Sequence, residues 1–267
     1  MTAKLSVAEI RSFWEKQAKI YGQSPAASWS DFPVIDMEIS EIVRRLDHGD
    51  KVLDIGCANG YSTIQFATHR RVDVQGLDYV PEMIEHARTR LEAFRPRLAG
   101  SAAFDVGDVM GLAEPDGAYD KVIVVRVVIN LGEWDRQLRG LREAARVVKP
   151  GGMLLLSEAT LQGWNRLNEF RREWSLPDIP MPSFNSYLDE EAVISALSPG
   201  MELLELVNFA STYFVGTRVL KPLLAKALGS AVDVARPDME WNRWLSQAPS
   251  WGDYGTQKLF VFRKRPG

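Results

Sequence analysis

Hydrophobic positions fall at two spacings along this chain, and the switch between them predicts its architecture. From Val7 to Tyr21 apolar and aromatic residues recur near helical spacing, at Ile10, Phe13, Trp14 and Ala18 with charges between them, so the segment reads as an amphipathic helix stopped at Tyr21-Gly22. Gln23 to Pro33, rich in Ser, Pro and Ala, reads as a loop, and Val34 to Leu46 returns to helical periodicity before Gly49-Asp50 turns the chain. Short apolar runs then alternate with helical stretches. Lys51 to Ile55, Val72 to Leu77, Ser101 to Val106, Lys121 to Val128 and Met153 to Ser157 read as strands. Tyr61 to Thr68, Pro81 to Phe94 and Glu133 to Val147 read as the helices among them, the second with a proline at an early position where its missing N–H does no harm. The β-branched run at 121–128 suits a strand buried on both faces, and strands alternating with helices predict an α/β fold with parallel pairing.

The second half is less regular. Asp189 to Leu197 predicts a helix with Asp189 near its cap, Met201 to Phe214 and Thr256 to Arg263 two late strands, and Arg218 to Ser250 a helical insertion whose Trp241 and Trp244, with Trp251 just beyond, belong to a cap core.

Composition narrows the function classes. With 46% hydrophobic and 25% charged residues over 267 positions, the chain is an ordinary globular protein able to bury one large core. A net charge of −3 lacks the basic footprint of a protein that tracks phosphates, so no nucleic-acid partner is expected. One cysteine, Cys57, excludes an internal disulfide and a Cys-cluster zinc site. Glu9, Arg11, Glu15 and Lys16 interrupt the N-terminal apolar run, and nowhere do about 18 apolar residues stand together, so neither a signal peptide nor a membrane span is expected and a cytoplasmic protein is. Homo-oligomer formation is left open.

The chemistry concentrates in Val52-Leu53-Asp54-Ile55-Gly56-Cys57-Ala58-Asn59-Gly60, an apolar strand with an acidic residue near its end and a loop bracketed by glycines. Ligands of open α/β sheets bind beyond the carboxyl ends of strands, where small residues let backbone approach closely. A dehydrogenase would need Gly-x-Gly-x-x-Gly for a diphosphate, but Asp54 stands where the first glycine should be, and no Gly-Lys-Ser/Thr marks a P-loop. About 20 residues on, Gln75-Gly76-Leu77-Asp78 ends the next strand with a carboxylate, the position of an acceptor for two ribose hydroxyls, and Val106-Gly107-Asp108-Val109 repeats the arrangement after the third strand. Lys149-Pro150-Gly151-Gly152 makes a tight turn into an apolar strand.

Together these segments resemble the class I S-adenosylmethionine (SAM) dependent methyltransferases. The resemblance implies a Rossmann-like seven-stranded, mostly parallel sheet with an antiparallel C-terminal strand, helices on both faces, an N-terminal helical lid at 1–48, and a SAM-binding domain at 49–267 with insertions at about 160–187 and 215–255. It implies that Asp54, Gly56, Cys57, Ala58 and Gly60 hold the amino acid part of SAM, Asp78 the ribose, and Tyr79, Met83, Asp108 and Val109 the adenine, with Trp14, Gln17 and Tyr21 of the lid and Arg126 completing the cofactor site. Cys57 reads as a space-filler, and His48, His69 and His86 as surface or packing residues.

The acceptor is less legible. The Asn/Asp-Pro-Pro-Tyr/Phe segment of amine-modifying relatives is replaced by Arg126-Val127-Val128-Ile129-Asn130-Leu131, and Arg126 with Glu158-Ala159-Thr160 does not support a magnesium site. Asn130, Asn165, Asn168, Arg171, Asn185 and Tyr187 suit a polyhydroxylated acceptor, and the chain is similar to small methyltransferases of surface-polysaccharide and glycosyl natural-product pathways. The expectation is O-methylation of a sugar hydroxyl or similar small polar molecule, with Arg126 orienting and Glu158 either the base or a structural acceptor for loop N–H groups. An N- or C-methyltransferase, or a non-catalytic SAM-binding regulator, stands as the alternative.

Overall fold

The computed structural model describes residues 4–229 and 233–266, so residues 1–3, 230–232 and 267 of the expected lid, insertion and C-terminus lie outside the described residues. Strands β1 (Lys51–Ile55), β2 (Asp73–Asp78), β3 (Ser101–Val106), β4 (Tyr119–Val125), β5 (Val148–Ala159), β6 (Met201–Val207) and β7 (Gln257–Lys264) form one sheet in the order β3-β2-β1-β4-β5-β7-β6. The first five pair in parallel, and β7 runs antiparallel to both β5 and β6. Helices α1 (Val7–Tyr21) and α2 (Phe32–Val43) precede the sheet. Parallel pairing needs crossovers, and α3 (Tyr61–His69), α4 (Pro81–Phe94) and α5 (Trp134–Val147) supply three of them. Helices α6 (Leu161–Glu173) and α7 (Glu190–Leu197) lie between β5 and β6, and α8 (Ser211–Val215), α9 (Lys221–Ala227) and α10 (Glu240–Ser246) between β6 and β7.

Alternation along each strand builds two cores, one per face of the sheet. Leu53, Val122, Val124, Leu154, Leu156, Phe260 and Phe262 meet Leu141, Ala144 and Val147 of α5 and Val193 and Leu197 of α7. On the opposite face Val52, Val74, Ile123, Leu155, Leu259 and Val261 meet Val34, Ile35, Ile39 and Ile42 of α2, Phe66 of α3, Leu167 of α6 and Tyr213 and Phe214 of α8. Such two-sided burial is why these strands read as continuous apolar runs.

Several elements differ from expectation, and the strand expected from Met153 already begins at Val148, taking in the expected turn at 149–152. The strand from Lys121 ends at Val125, because Arg126 adopts a left-handed backbone (φ +54°) that turns the chain off the sheet. The run from Met201 leaves the sheet at Val207: Asn208 donates to Asp253 Oδ1 at 2.8 Å, the Ser211 N–H donates to Ser250 Oγ at 2.9 Å, and the chain coils into α8. The helix expected from Val34 starts at Phe32, with Pro33 in its first turn.

The direction of winding reverses at β1, which lies between β2 and β4. The crevice beyond the carboxyl ends of these strands is therefore the place for a ligand.

Candidate active site

Four strand ends and α1 enclose one pocket. Asp54 of β1 is 3% exposed and accepts from Thr63 Oγ1 of α3 at 2.5 Å. Burial pushes its carboxyl up to about 7, against the Thr63 hydrogen bond that pulls the other way. Beyond β1 the chain turns through Gly56 (φ +74°), and the N–H groups of Gly56 and Cys57 both donate to the Leu77 carbonyl, at 2.7 and 2.9 Å. The glycine loop is thereby fixed onto the end of β2. Asp78 Oδ2 accepts the Ala58 N–H and Oδ1 the Val80 N–H, each at 2.9 Å, and burial pushes this carboxyl up to about 6. After β3, Asp108 Oδ1 accepts the Met110 N–H at 2.8 Å.

Asp54, Asp78 and Asp108 all line the pocket, as do Gly56, Cys57, Ala58, Tyr79, Met83, Val109, Arg126 and Asn130. Burial raises the Cys57 thiol well above its usual range, so it fills space as a neutral group. Gly60 is not a wall residue. Its left-handed backbone (φ +73°) starts α3, and a Cβ there would crowd Ala87 and Phe104. None of the three histidines lines the pocket, and among the described residues no group of three or more His, Cys, Asp or Glu is placed to hold a metal ion.

Helix α1 roofs the pocket with Val7, Ile10, Arg11 and Trp14. Arg11 lies 5.4 Å from the Tyr79 ring centre and donates to its carbonyl at 3.4 Å. Phe13 stacks on Phe184 at 4.4 Å, and the Leu5 N–H donates to Ser183 O at 3.1 Å. Gln17 and Tyr21, expected to face the ligand, do not line the pocket, and Tyr21 is exposed. The contact that ties this segment to the glycine loop falls on Asn59, which the sequence reading passed over. Its Nδ2 donates to Gly22 O at 2.8 Å and Ser24 O at 2.7 Å, across the break that ends α1.

The loop after β4 is braced from behind. Glu158 is fully buried and outside the pocket wall; its carboxylate accepts the N–H groups of Val127 at 2.8 Å, Val128 at 2.7 Å and Ile129 at 3.4 Å. Burial pushes it up to about 8 against those three donors. Of the two roles open to Glu158 in the sequence, the geometry places it in the structural one. Glu158→Ala would leave buried N–H donors unpaired, at roughly 1–3 kcal/mol each. We expect a fall in melting temperature of about 10 °C and lost affinity for the ligand of this pocket, whereas Glu158→Gln keeps an acceptor oxygen and should stay within about threefold in affinity. Melting curves and calorimetric titration of both variants check this, and an alanine variant that melts like the parent would sink the brace.

The polar residues expected to meet an acceptor are placed elsewhere. Asn165 is exposed on α6. Asn168 pairs with the backbone of Ile179, accepting its N–H at 2.8 Å, and Arg171 Nε donates to Pro177 O at 2.8 Å. Tyr187 packs edge-on against Trp164, with its hydroxyl pushed up to about 12 by burial. None of these, nor Asn185, lines the pocket; Asn168 and Arg171 hold the chain between α6 and α7 in place. Asn185 reaches it through Asn130, whose Nδ2 donates to Asn185 Oδ1 at 2.6 Å.

The arrangement suits an extended ligand with a cationic amino group at Asp54, a vicinal diol at Asp78 and an aromatic amine at Asp108. Residues 52–152 match the family model described as a methyltransferase domain. Over 227 residues the chain is 30% identical to methyltransferase GfsG of Streptomyces halstedii, covering 80% of this chain and 72% of that protein. It is 35% identical over 113 residues to a 27-O-demethylrifamycin SV methyltransferase of Amycolatopsis mediterranei; that match spans 42% of this chain and 40% of the relative's length. The N-methyltransferase NodS from Bradyrhizobium japonicum, solved in complex with S-adenosyl-L-homocysteine, shares the fold with a TM-score of 0.56 at 16% identity, covering 96% of this chain and 98% of that one. Among the described residues no helix is long and apolar enough to cross a membrane.

Proposed function

Because the chain belongs to the class I SAM-dependent methyltransferases, we propose that it transfers the methyl group of SAM to a hydroxyl oxygen of a small natural-product acceptor. In this reading Asp54 takes the cofactor's ammonium, Asp78 its ribose hydroxyls and Asp108 its adenine amine, between Tyr79, Met83 and Val109, while α1 serves as a lid through Trp14 and its neighbours. Bound SAM supplies an electrophilic methyl group on a sulfonium; the protein aligns the acceptor oxygen with it and excludes water.

The observation that carries the choice of oxygen is Asn130. Its amide nitrogen is engaged by Asn185, and Oδ1 has no hydrogen bond to a described residue, so this pocket-lining residue has a carbonyl oxygen free to accept a hydrogen bond from a hydroxyl and orient its lone pair. The wall also carries Val7, Ile10, Trp14, Met110, Val127 and Leu131 as apolar surface, with Arg11, Arg126 and Arg136 as its cations. A polyhydroxylated acceptor loses the support of Asn165, which is exposed on α6, and of Asn168 and Arg171, which brace a loop. An acceptor presenting an apolar face to the cofactor, with any sugar it carries held at the mouth, accords better with this wall. The named substrate of the rifamycin relative points the same way.

Incubation with methyl-labelled SAM and a panel of polyketide alcohols, phenols, glycosides, free sugars and amines tests the reading. A labelled methoxy carbon in the product supports it. Labelled N-methyl or C-methyl products, or binding of SAM with no acceptor-dependent S-adenosylhomocysteine, would replace it with one of the alternatives.

A further inference from the structure

Two charged side chains of opposite sign line the pocket at the ends of β1 and β4, Asp54 and Arg126. The carboxylates assigned to the nucleoside stand at the last residue of β2 and just after β3. With β3-β2-β1-β4 adjacent in that order, a ligand whose adenosine lies over β2 and β3 must lay its methionyl end over β1 and β4. That end is a zwitterion, with one ammonium and one carboxylate to be matched. We propose that Arg126 grips the cofactor's methionyl carboxylate through its Nε–Nη2 edge, opposite Asp54 on the ammonium, and that Glu38 of α2 is the positioning residue that sets the guanidinium for this contact.

The guanidinium is held at Nη1 and on one face. Nη1 donates to Glu38 Oε2, and the plane lies 5.1 Å from the Trp29 ring centre. Glu38 is itself 2% exposed and held by Ser157 Oγ and by Gln257 Nε2 at 3.1 Å, so it cannot swing out to solvent. Pairing with Glu38 also lets a positive charge sit in a half-closed pocket before any ligand arrives. Nε and Nη2 have no hydrogen bond to a described residue, and this edge is the fork that meets both oxygens of a carboxylate. The left-handed backbone of Arg126, with its N–H donating to Ser157 O at 2.9 Å, sets where the side chain starts. Asp54 feels both neighbours, Arg126 lowering and Glu38 raising its carboxyl, as a shared site requires. The inference rests on the cofactor and is independent of which acceptor is methylated.

Calorimetric titration with S-adenosylhomocysteine and with its decarboxylated analogue, which lacks only the carboxylate, tests it. The parent protein should prefer S-adenosylhomocysteine by at least about tenfold, the scale of a charge-assisted fork. Arg126→Met should lose about tenfold to a hundredfold in S-adenosylhomocysteine affinity while binding the analogue within about threefold, erasing the preference. Arg126→Lys, a point charge without the fork, should keep part of it. Glu38→Gln should cut the preference by about threefold to tenfold without weakening the analogue. A parent protein with no preference, or an Arg126→Met variant that loses both ligands alike, overturns the carboxylate assignment, and the first of these decides even if that variant does not fold. Equal loss of both ligands in Glu38→Gln overturns the positioning role.

Discussion

Gly56→Ala is expected to abolish measurable cofactor binding and to lower the melting temperature by about 5–15 °C, the product of roughly 2–5 kcal/mol and a few degrees per kcal/mol. Two effects add. Gly56 has φ +74°, where a Cβ costs roughly 1–2 kcal/mol. The added Cβ would also fall on Val127 Cγ2, well inside van der Waals contact, for roughly another 1–3 kcal/mol. Val127 cannot retreat cheaply, because its N–H and those of the next two residues are held by Glu158. Strain at one strand end therefore passes to the next, and both border the ligand. A drop of about a hundredfold or more in S-adenosylhomocysteine affinity follows if the loop shifts by even an ångström. Gly132→Ala is the matched control: φ is +83°, but a Cβ there meets nothing within 4 Å. It should show backbone strain alone, about 1 kcal/mol, with cofactor affinity unchanged within about threefold. Equal effects in the two variants would show that contact with Val127 is irrelevant.

The parts of this site that sequence spacing exposed are those that one strand and its own following loop create. Asp54, Asp78 and Asp108 each sit at or just past a strand end, so period and position sufficed to place them on one rim. The residues that were misplaced or missed depend on contacts between distant segments. Glu38 meets Arg126 across 88 positions and Gln257 across 219, and nothing local distinguishes it from the other acidic residues of α2. Asn59 was visible as a variable position inside the glycine loop, but its partners lie at the break after α1. Conversely, Asn168 and Arg171 carry the composition of a sugar site yet satisfy the backbone of the irregular chain that follows α6. A long connection without ladder hydrogen bonds needs side-chain partners for its peptide groups. Polar composition in an insertion is thus as much a mark of an irregular backbone as of a ligand.

Cofactor affinity should rise with pH between about 5.5 and 7.5, while the stability of the unliganded protein falls over the same interval. Burial raises the carboxyls of Asp54 to about 7 and Asp78 to about 6 from the ordinary 3.8, and that of Glu158 to about 8 from 4.5. The folded protein therefore binds more protons than the unfolded chain at mildly acidic pH. The stabilisation is complete below about 4 and is lost as pH rises through these folded values. Melting temperature without ligand should decline steadily from about pH 5 to pH 8. An ammonium beside Asp54 has the opposite linkage. It favours the carboxylate, so below about pH 7 each binding event must release a proton, and affinity weakens by up to tenfold per pH unit for that one group. Between pH 7.5 and 5.5 the loss should be about thirtyfold, with a smaller share from Asp78 once its ribose contacts form. Titration with S-adenosylhomocysteine in buffers of different ionisation enthalpy would measure the proton directly, close to one per ligand at pH 6 and near zero at pH 8. Asp54→Asn should bind weakly at every pH with no release attributable to that site. Affinity independent of pH in the parent protein would mean that Asp54 is already charged before the ligand arrives, and an Asp54→Asn variant that bound as tightly as the parent would show that its role is not to meet the ammonium.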